Sequence, residues 1–113
     1  MLGAERNSPA GPYLDLSHLF PGDLFAYLTL REFSGGTDAD ALGEFLLRVR
    51  GEGISVVAVK QVHSGLVAGA GETPCEADAI VTRERGVAAR VVTADCVPVL
   101  LAREDGTAWA AVH

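Results

Sequence analysis

Positive charge is scarce in this chain: nine lysines and arginines face fifteen aspartates and glutamates, for a formal net charge of −6 and a pI near 4.9. A nucleic-acid backbone is bound through clustered cationic side chains, so this balance argues against DNA or RNA as a partner. Apolar runs are also short. None approaches the roughly 18 residues that a membrane span requires, and MLGAERNSPAGP at the start lacks both the basic opening and the apolar centre of a secretion signal. The expectation is a cytoplasmic protein with no membrane partner. Cysteine is limited to Cys75 and Cys96, too few for a disulfide framework and expected to stay reduced in that compartment. Histidine is limited to His18, His63 and His113, which is sparse for chemistry needing several copper ions.

What is present is apolar. Of 113 residues 49% are hydrophobic, and mean hydropathy is +0.25. A domain of this size buries only roughly 60 to 70% of the surface its unfolded chain exposes. This richness implies that more protein covers part of the surface, either a second copy or a continuation of the chain.

Pro9, Pro12 and Pro21 fall within residues 1–23, where periodicity is weak, and the reading there is an irregular N-terminal arm. A first strand is expected over 24–30, and the "SGG" of 34–36 breaks it. Ala41, Leu42, Phe45, Leu46 and Val49 recur as one face of a helix, with Thr37 as N-cap and Asp40 in the capping-box position; "GEG" at 51–53 ends it. "ISVVAVKQV" at 54–62 reads as a strand apolar on both faces, delivering Lys60, Gln61 and His63 to its end. A loop at 69–76 precedes strands at 78–82, 87–93 and 97–102, and "REDG" turns the chain into a last strand at 107–112. The second half reads as a β-meander. The fold class is mixed α/β (α+β), with parallel and antiparallel pairs in a sandwich flanked by helix.

Within "VVTADCVPVLL", 91–101, a carboxylate and a thiol interrupt an otherwise apolar run. A carboxylate buried there costs several kcal/mol, on the order of the usual desolvation penalty, unless it is hydrogen-bonded or paired. Asp95 is therefore expected to cap a bend at Pro98 or to orient a histidine. His63, Cys96 and His113 are the side chains best suited to a borderline metal, and each lies at or near a strand end. Two imidazoles and a thiolate would leave zinc an open fourth position, as in catalytic sites. The residues leave other readings open. Cys96 is a small buried hydrophobe, or a nucleophile with a histidine as base in a cysteine hydrolase or amidase; His63 closes a turn; His113 is a solvated terminus; Asp78 hydrogen-bonds near the site or caps the loop before its strand.

"KQVHSGLV", "EADAIVT", "VVTADCVPVLL" and "WAAVH" follow one another as in the laccase-domain family, also called YfiH-like or the multicopper polyphenol oxidase family, which the chain resembles over roughly residues 54–113. The resemblance implies a mixed α/β sandwich and a zinc-dependent enzyme. Its reactions would be phosphorolysis of adenosine, inosine, guanosine or methylthioadenosine, and deamination of adenosine. It implies a zinc site of His63, Cys96 and His113, catalytic work by Cys96, His63 and Asp95, and purine nucleoside and phosphate as partners. Gln61 and Arg31 would meet the substrate, although "TLREFSGG" places two extra residues between Arg31 and the glycine pair of the family signature. Copper, suggested by the older family name, ranks behind zinc because histidines are few. The family's last motif continues beyond the histidine at which this chain stops, so the resemblance implies that 1–113 is one laccase-domain region lacking its C-terminal half, with Cys75 a loop thiol outside the motifs.

Overall fold

The structure, a computed structural model, describes residues 3–113. Contrary to the expected irregular arm, the chain opens with a hairpin of β1 (Ala4–Ser8) and β2 (Gly11–Asp15), antiparallel with Ser8 opposite Gly11. Pro9 and Ala10 form the connecting turn, where the Ser8 hydroxyl accepts the Ala10 N–H at 3.2 Å and donates to Gly11 O at 3.0 Å. The prolines therefore punctuate strands rather than exclude them. β1 escapes a pattern search because all but its last residue are exposed, leaving no apolar alternation to read. β3 (Tyr27–Thr29) completes this three-stranded sheet and is shorter than the expected 24–30.

Helix α1 (Ala39–Arg50) begins one residue later than expected. Asp38, not Thr37, is its N-cap, and Asp38 Oδ1 accepts the backbone N–H groups of Asp40 at 2.9 Å and Ala41 at 3.2 Å. Gly51, at φ 76°, ends it in the left-handed conformation that glycine adopts without penalty. Leu42, Phe45 and Leu46 bury the inward face, while Val49 stands at its exposed margin.

β4 (Ser55–Ala58) pairs in parallel with β7 (Val87–Arg90), so the second half is not a meander. β5 (Val67–Gly69) and β6 (Ala79–Thr82) form another parallel pair. β9 (Trp109–Val112) lies antiparallel between β6 and β8 (Val99–Ala102), giving the order β5-β6-β9-β8. Only β8 and β9 keep the hairpin expected at "REDG". After β6 the chain leaves its sheet to place β7 beside β4, and the Trp109 indole N–H donating to Val87 O at 3.2 Å ties the sheets together.

The β4–β7 ribbon forms the middle layer of a mixed α/β sandwich. Paired Val56 and Ala88 pack on the core of Tyr13, Phe33, Leu42, Phe45 and Leu46, whereas the next pair, Val57 and Ala89, packs on Val59, Ala68, Ala77 and Ile80. Strand side chains alternate between faces, so a ribbon serving two cores must be apolar on both. This explains the unbroken "ISVVAV" run. Among the described residues no helix is long and apolar enough to cross a membrane.

Candidate active site

Beyond β4, Lys60 bridges Glu76 in the parallel sense, and the chain then turns sharply at Val62, His63 and Ser64. His63 has φ 61°, the only non-glycine residue with positive φ among those described. This left-handed conformation costs an L-residue roughly 1–2 kcal/mol and must be compensated by its surroundings.

The compensation is Asp78. Its side chain is 5% exposed, and it stands immediately before β6. Oδ1 accepts the backbone N–H groups of Val62 at 3.1 Å and Ser64 at 2.8 Å, together with the Ser64 hydroxyl at 2.8 Å. Oδ2 accepts the backbone N–H of His63 at 3.2 Å and stands 2.7 Å from His113 Nδ1. Three successive N–H groups converging on one anion form a backbone nest, here filled by a side chain of the same molecule. The His113 hydrogen bond, followed by that from Ser64 N–H, holds the Asp78 carboxyl well below the usual carboxylate range despite its burial.

His113 is fixed twice, because its backbone N–H also donates to Asp78 O at 2.7 Å. The His63 and His113 rings meet with centroids 5.4 Å apart and planes inclined at 63°. Residues from the two strand ends thus converge as one cluster of two imidazoles, a carboxylate and the Ser64 hydroxyl.

The other expected site residues lie elsewhere. Asp95 and Cys96 are both exposed, in a bend between β7 and β8 rather than in a buried strand. The apolar flanks suggested burial, but β7 ends at Arg90 together with its partner β4 at Ala58. Asp95 consequently has no desolvation penalty to offset, and the carboxylate that orients a histidine is Asp78. Cys96 is not gathered with the imidazoles: among the described residues no three His, Cys, Asp or Glu side chains form a group that could hold a metal ion.

Gln61 has its carboxamide on the backbone of Val92, donating from Nε2 to Val92 O at 2.7 Å and accepting Val92 N–H on Oε1 at 2.8 Å. Both ends of the carboxamide are thus engaged with the backbone. Arg31 lies exposed in the turn after β3, and Cys75 is a half-exposed thiol in the loop before β6, packed at the margin of the second core. Ser64 went unnoticed in the sequence. Its signal is a hydroxyl directly after the histidine of "QVHSG", where the turn brings the N–H and O–H of one residue to the same acceptor.

The donor chemistry fits a metal in part. An imidazole whose Nδ1 is held by a carboxylate presents Nε2 outward, the usual arrangement of a metal-bound histidine, and a second imidazole is adjacent. A third ligand is not in place in this conformation.

An open apolar cleft of about 700 Å³ occupies a different face. Leu46, Ile54, Val56, Ala88, Leu100 and Trp109 are among its walls, and neither imidazole lines it.

The fold and this cluster define a mixed α/β sandwich with a paired-imidazole site at its strand ends. The model of the family described as multi-copper polyphenol oxidoreductase laccase matches residues 43–113, and the chain belongs to that family. It is 45% identical over 64 aligned residues to a purine nucleoside phosphorylase of Corynebacterium glutamicum, covering 51% of this chain and 26% of that relative. A purine nucleoside phosphorylase of Streptomyces coelicolor is 49% identical over 63, with the same coverage. The crystal structure of Neisseria meningitidis protein NMB0706, of the DUF152 family, superposes with a TM-score of 0.59 at 28% identity, covering all of this chain and 50% of that one. The matched region thus spans about a quarter of the curated relatives and half of the solved chain.

Proposed function

We propose that this chain supplies the imidazole-bearing part of a purine nucleoside phosphorylase. The observation that carries the reading is the pairing of His63 with His113 over buried Asp78 in a chain whose relatives bear that name. In the proposed reaction a phosphate oxygen bonds to C1′ of the nucleoside's ribose as the C1′–N9 bond breaks. The bond's electron pair leaves with the purine, which takes up a proton, and the other product is ribose 1-phosphate.

His63 and His113 would hold zinc, with Cys96 as third ligand once the exposed bend carrying it packs over them. Bound there, the ion would supply Lewis acidity and an acidified water. The chain's own contribution is to fix the His113 ring through Asp78 and to hold the turn that sets the His63 ring beside it. Zinc is preferred to copper because thiolate and imidazole suit both, while three histidines cannot equip several copper centres.

The apolar cleft, in this reading, receives the remainder of the family's fold. Its support is that the Neisseria chain extends over twice the matched length and that Leu101, at the cleft, is 55% exposed.

The test is incubation of zinc-loaded protein, both as this chain and extended to the length of the Neisseria relative, with adenosine and inorganic phosphate, followed by chromatography. Free adenine with ribose 1-phosphate is the expected product. Inosine would add deamination, and the absence of free adenine from the extended form would remove the reading.

A further inference from the structure

An ionised carboxylate can only accept hydrogen bonds, so the ring nitrogen 2.7 Å from Asp78 Oδ2 must carry the proton. In a neutral imidazole the other nitrogen then bears the lone pair. The same carboxylate bonds all three N–H groups of 62–64, the turn that sets His63 at φ 61°. One buried side chain therefore governs both rings, one through its protonation pattern and the other through its backbone.

We propose that Asp78 is the positioning residue of this site: it selects the His113 tautomer with Nδ1–H and a free lone pair on Nε2, and it locks His63 in the left-handed turn beside it. The proposal rests on the functional reading above only in assigning metal binding to the pair. The tautomer can be measured without metal or substrate.

Asp78→Asn retains size and shape while reversing polarity on one oxygen. Oδ1 meets three donors and Oδ2 two, so the amide NH2 settles at the Oδ2 position. There it faces His113 Nδ1, which must offer a lone pair in return, so the proton moves to Nε2, and the His63 N–H loses its acceptor. Loss of an orienting partner behind a metal-bound histidine typically weakens metal affinity by about 10–100-fold. Ser64→Ala serves as the comparison for the tautomer alone: it removes the hydroxyl's bonds to the same carboxylate and to the Leu66 N–H without touching the imidazole.

The experiment is long-range proton–nitrogen NMR of the ring nitrogens in the metal-free chain, with zinc titration by calorimetry and circular dichroism to establish folding. The expected result is Nδ1–H on His113 in the wild type and in Ser64→Ala, Nε2–H in Asp78→Asn, and zinc binding by Asp78→Asn about 10–100-fold weaker than by the wild type. An Nε2–H wild-type tautomer, or a folded Asp78→Asn protein that keeps Nδ1–H or binds zinc within threefold of the wild type, overturns the proposal. Should Asp78→Asn fail to fold, the wild-type tautomer decides the assignment to His113. Wild-type protein that shows Nδ1–H but binds no zinc would remove the metal reading while leaving the positioning role supported.

Discussion

Gln61 acts as a strand residue through its side chain. Its carboxamide makes the same two bonds to Val92, at 2.7 and 2.8 Å, that a neighbouring backbone would make. The last β4–β7 pair is Ala58 with Arg90, so this amide carries the ladder one step beyond the strands. It anchors the segment leading to Cys96.

Gln61→Leu leaves the Val92 N–H and C=O without their partner in a half-buried position, and the expected loss of stability is about 1–3 kcal/mol. Urea unfolding measures it. Hydrogen exchange at Val92 should accelerate by more than at β6, because the bond lost is local. Unchanged exchange at Val92 would show that the amide does not hold the segment.

His63 makes a different demand. Its φ of 61° suits glycine far better than any residue with a Cβ. In metal-free protein, His63→Gly should be more stable than His63→Ala by about 1 kcal/mol, the cost of left-handed backbone for an L-residue. Both substitutions remove the ring, so their difference isolates the backbone. Equal urea midpoints would mean that the turn relaxes when the imidazole is lost and that Asp78 does not enforce it.

The sequence was most legible where one period dominated. The inward face of α1 and its stop at Gly51 follow from apolar spacing and a single glycine. The "ISVVAV" run reads as a strand buried on both faces, and the structure sets it between two cores. Legibility failed where pairing is non-local: nothing in 83–90 says that β7 returns to β4 rather than continuing a meander. β1 pairs through an exposed backbone with no apolar signature. At the site, His63 and His113 were named from motif and strand position, and the geometry brings them together. Asp95 drew attention because its neighbours are apolar, yet burial is a property of the folded chain, and the buried carboxylate is Asp78. Asp78 reads as bonding near the site or capping the loop before its strand; its side chain instead closes the distant 62–64 turn and meets His113.

Phe45 anchors the first core. It is 4% exposed, and Tyr13, Phe33 and Tyr27 meet it edge-on with ring centroids at 4.8, 5.0 and 5.8 Å. Phe45→Ala removes this shared partner of three aromatic rings and should destabilise by about 3–5 kcal/mol. Phe45→Leu, which keeps most of the volume, should cost clearly less. Thermal and urea unfolding of the pair test this, and a loss below about 1 kcal/mol for Phe45→Ala would place the aromatic cluster outside the cooperative core.

Asp15 gives the first sheet a pH dependence whose sign can be worked out. Burial alone would raise its pKa, but the Ser17 N–H at 3.0 Å, the Ser17 hydroxyl and the Arg6 guanidinium at 3.3 Å outweigh it, and the net shift is downward. A carboxyl more acidic when folded than unfolded releases its proton more readily in the native state. As pH falls, the unfolded chain gains that proton first and unfolding is favoured. The contribution is therefore complete above the unfolded value of about 4 and fades as pH drops through the folded value. Asp15→Asn should cost about 1 kcal/mol at pH 7, and the gap between wild type and variant should narrow as the pH falls below the unfolded value of about 4. Urea midpoints of both proteins across that range provide the measurement. A gap that stays constant or widens on acidification would show that Asp15 reaches low pH with no charge-dependent hold on Arg6 and Ser17, leaving the turn after β2 to the neutral hydrogen bond that asparagine also makes.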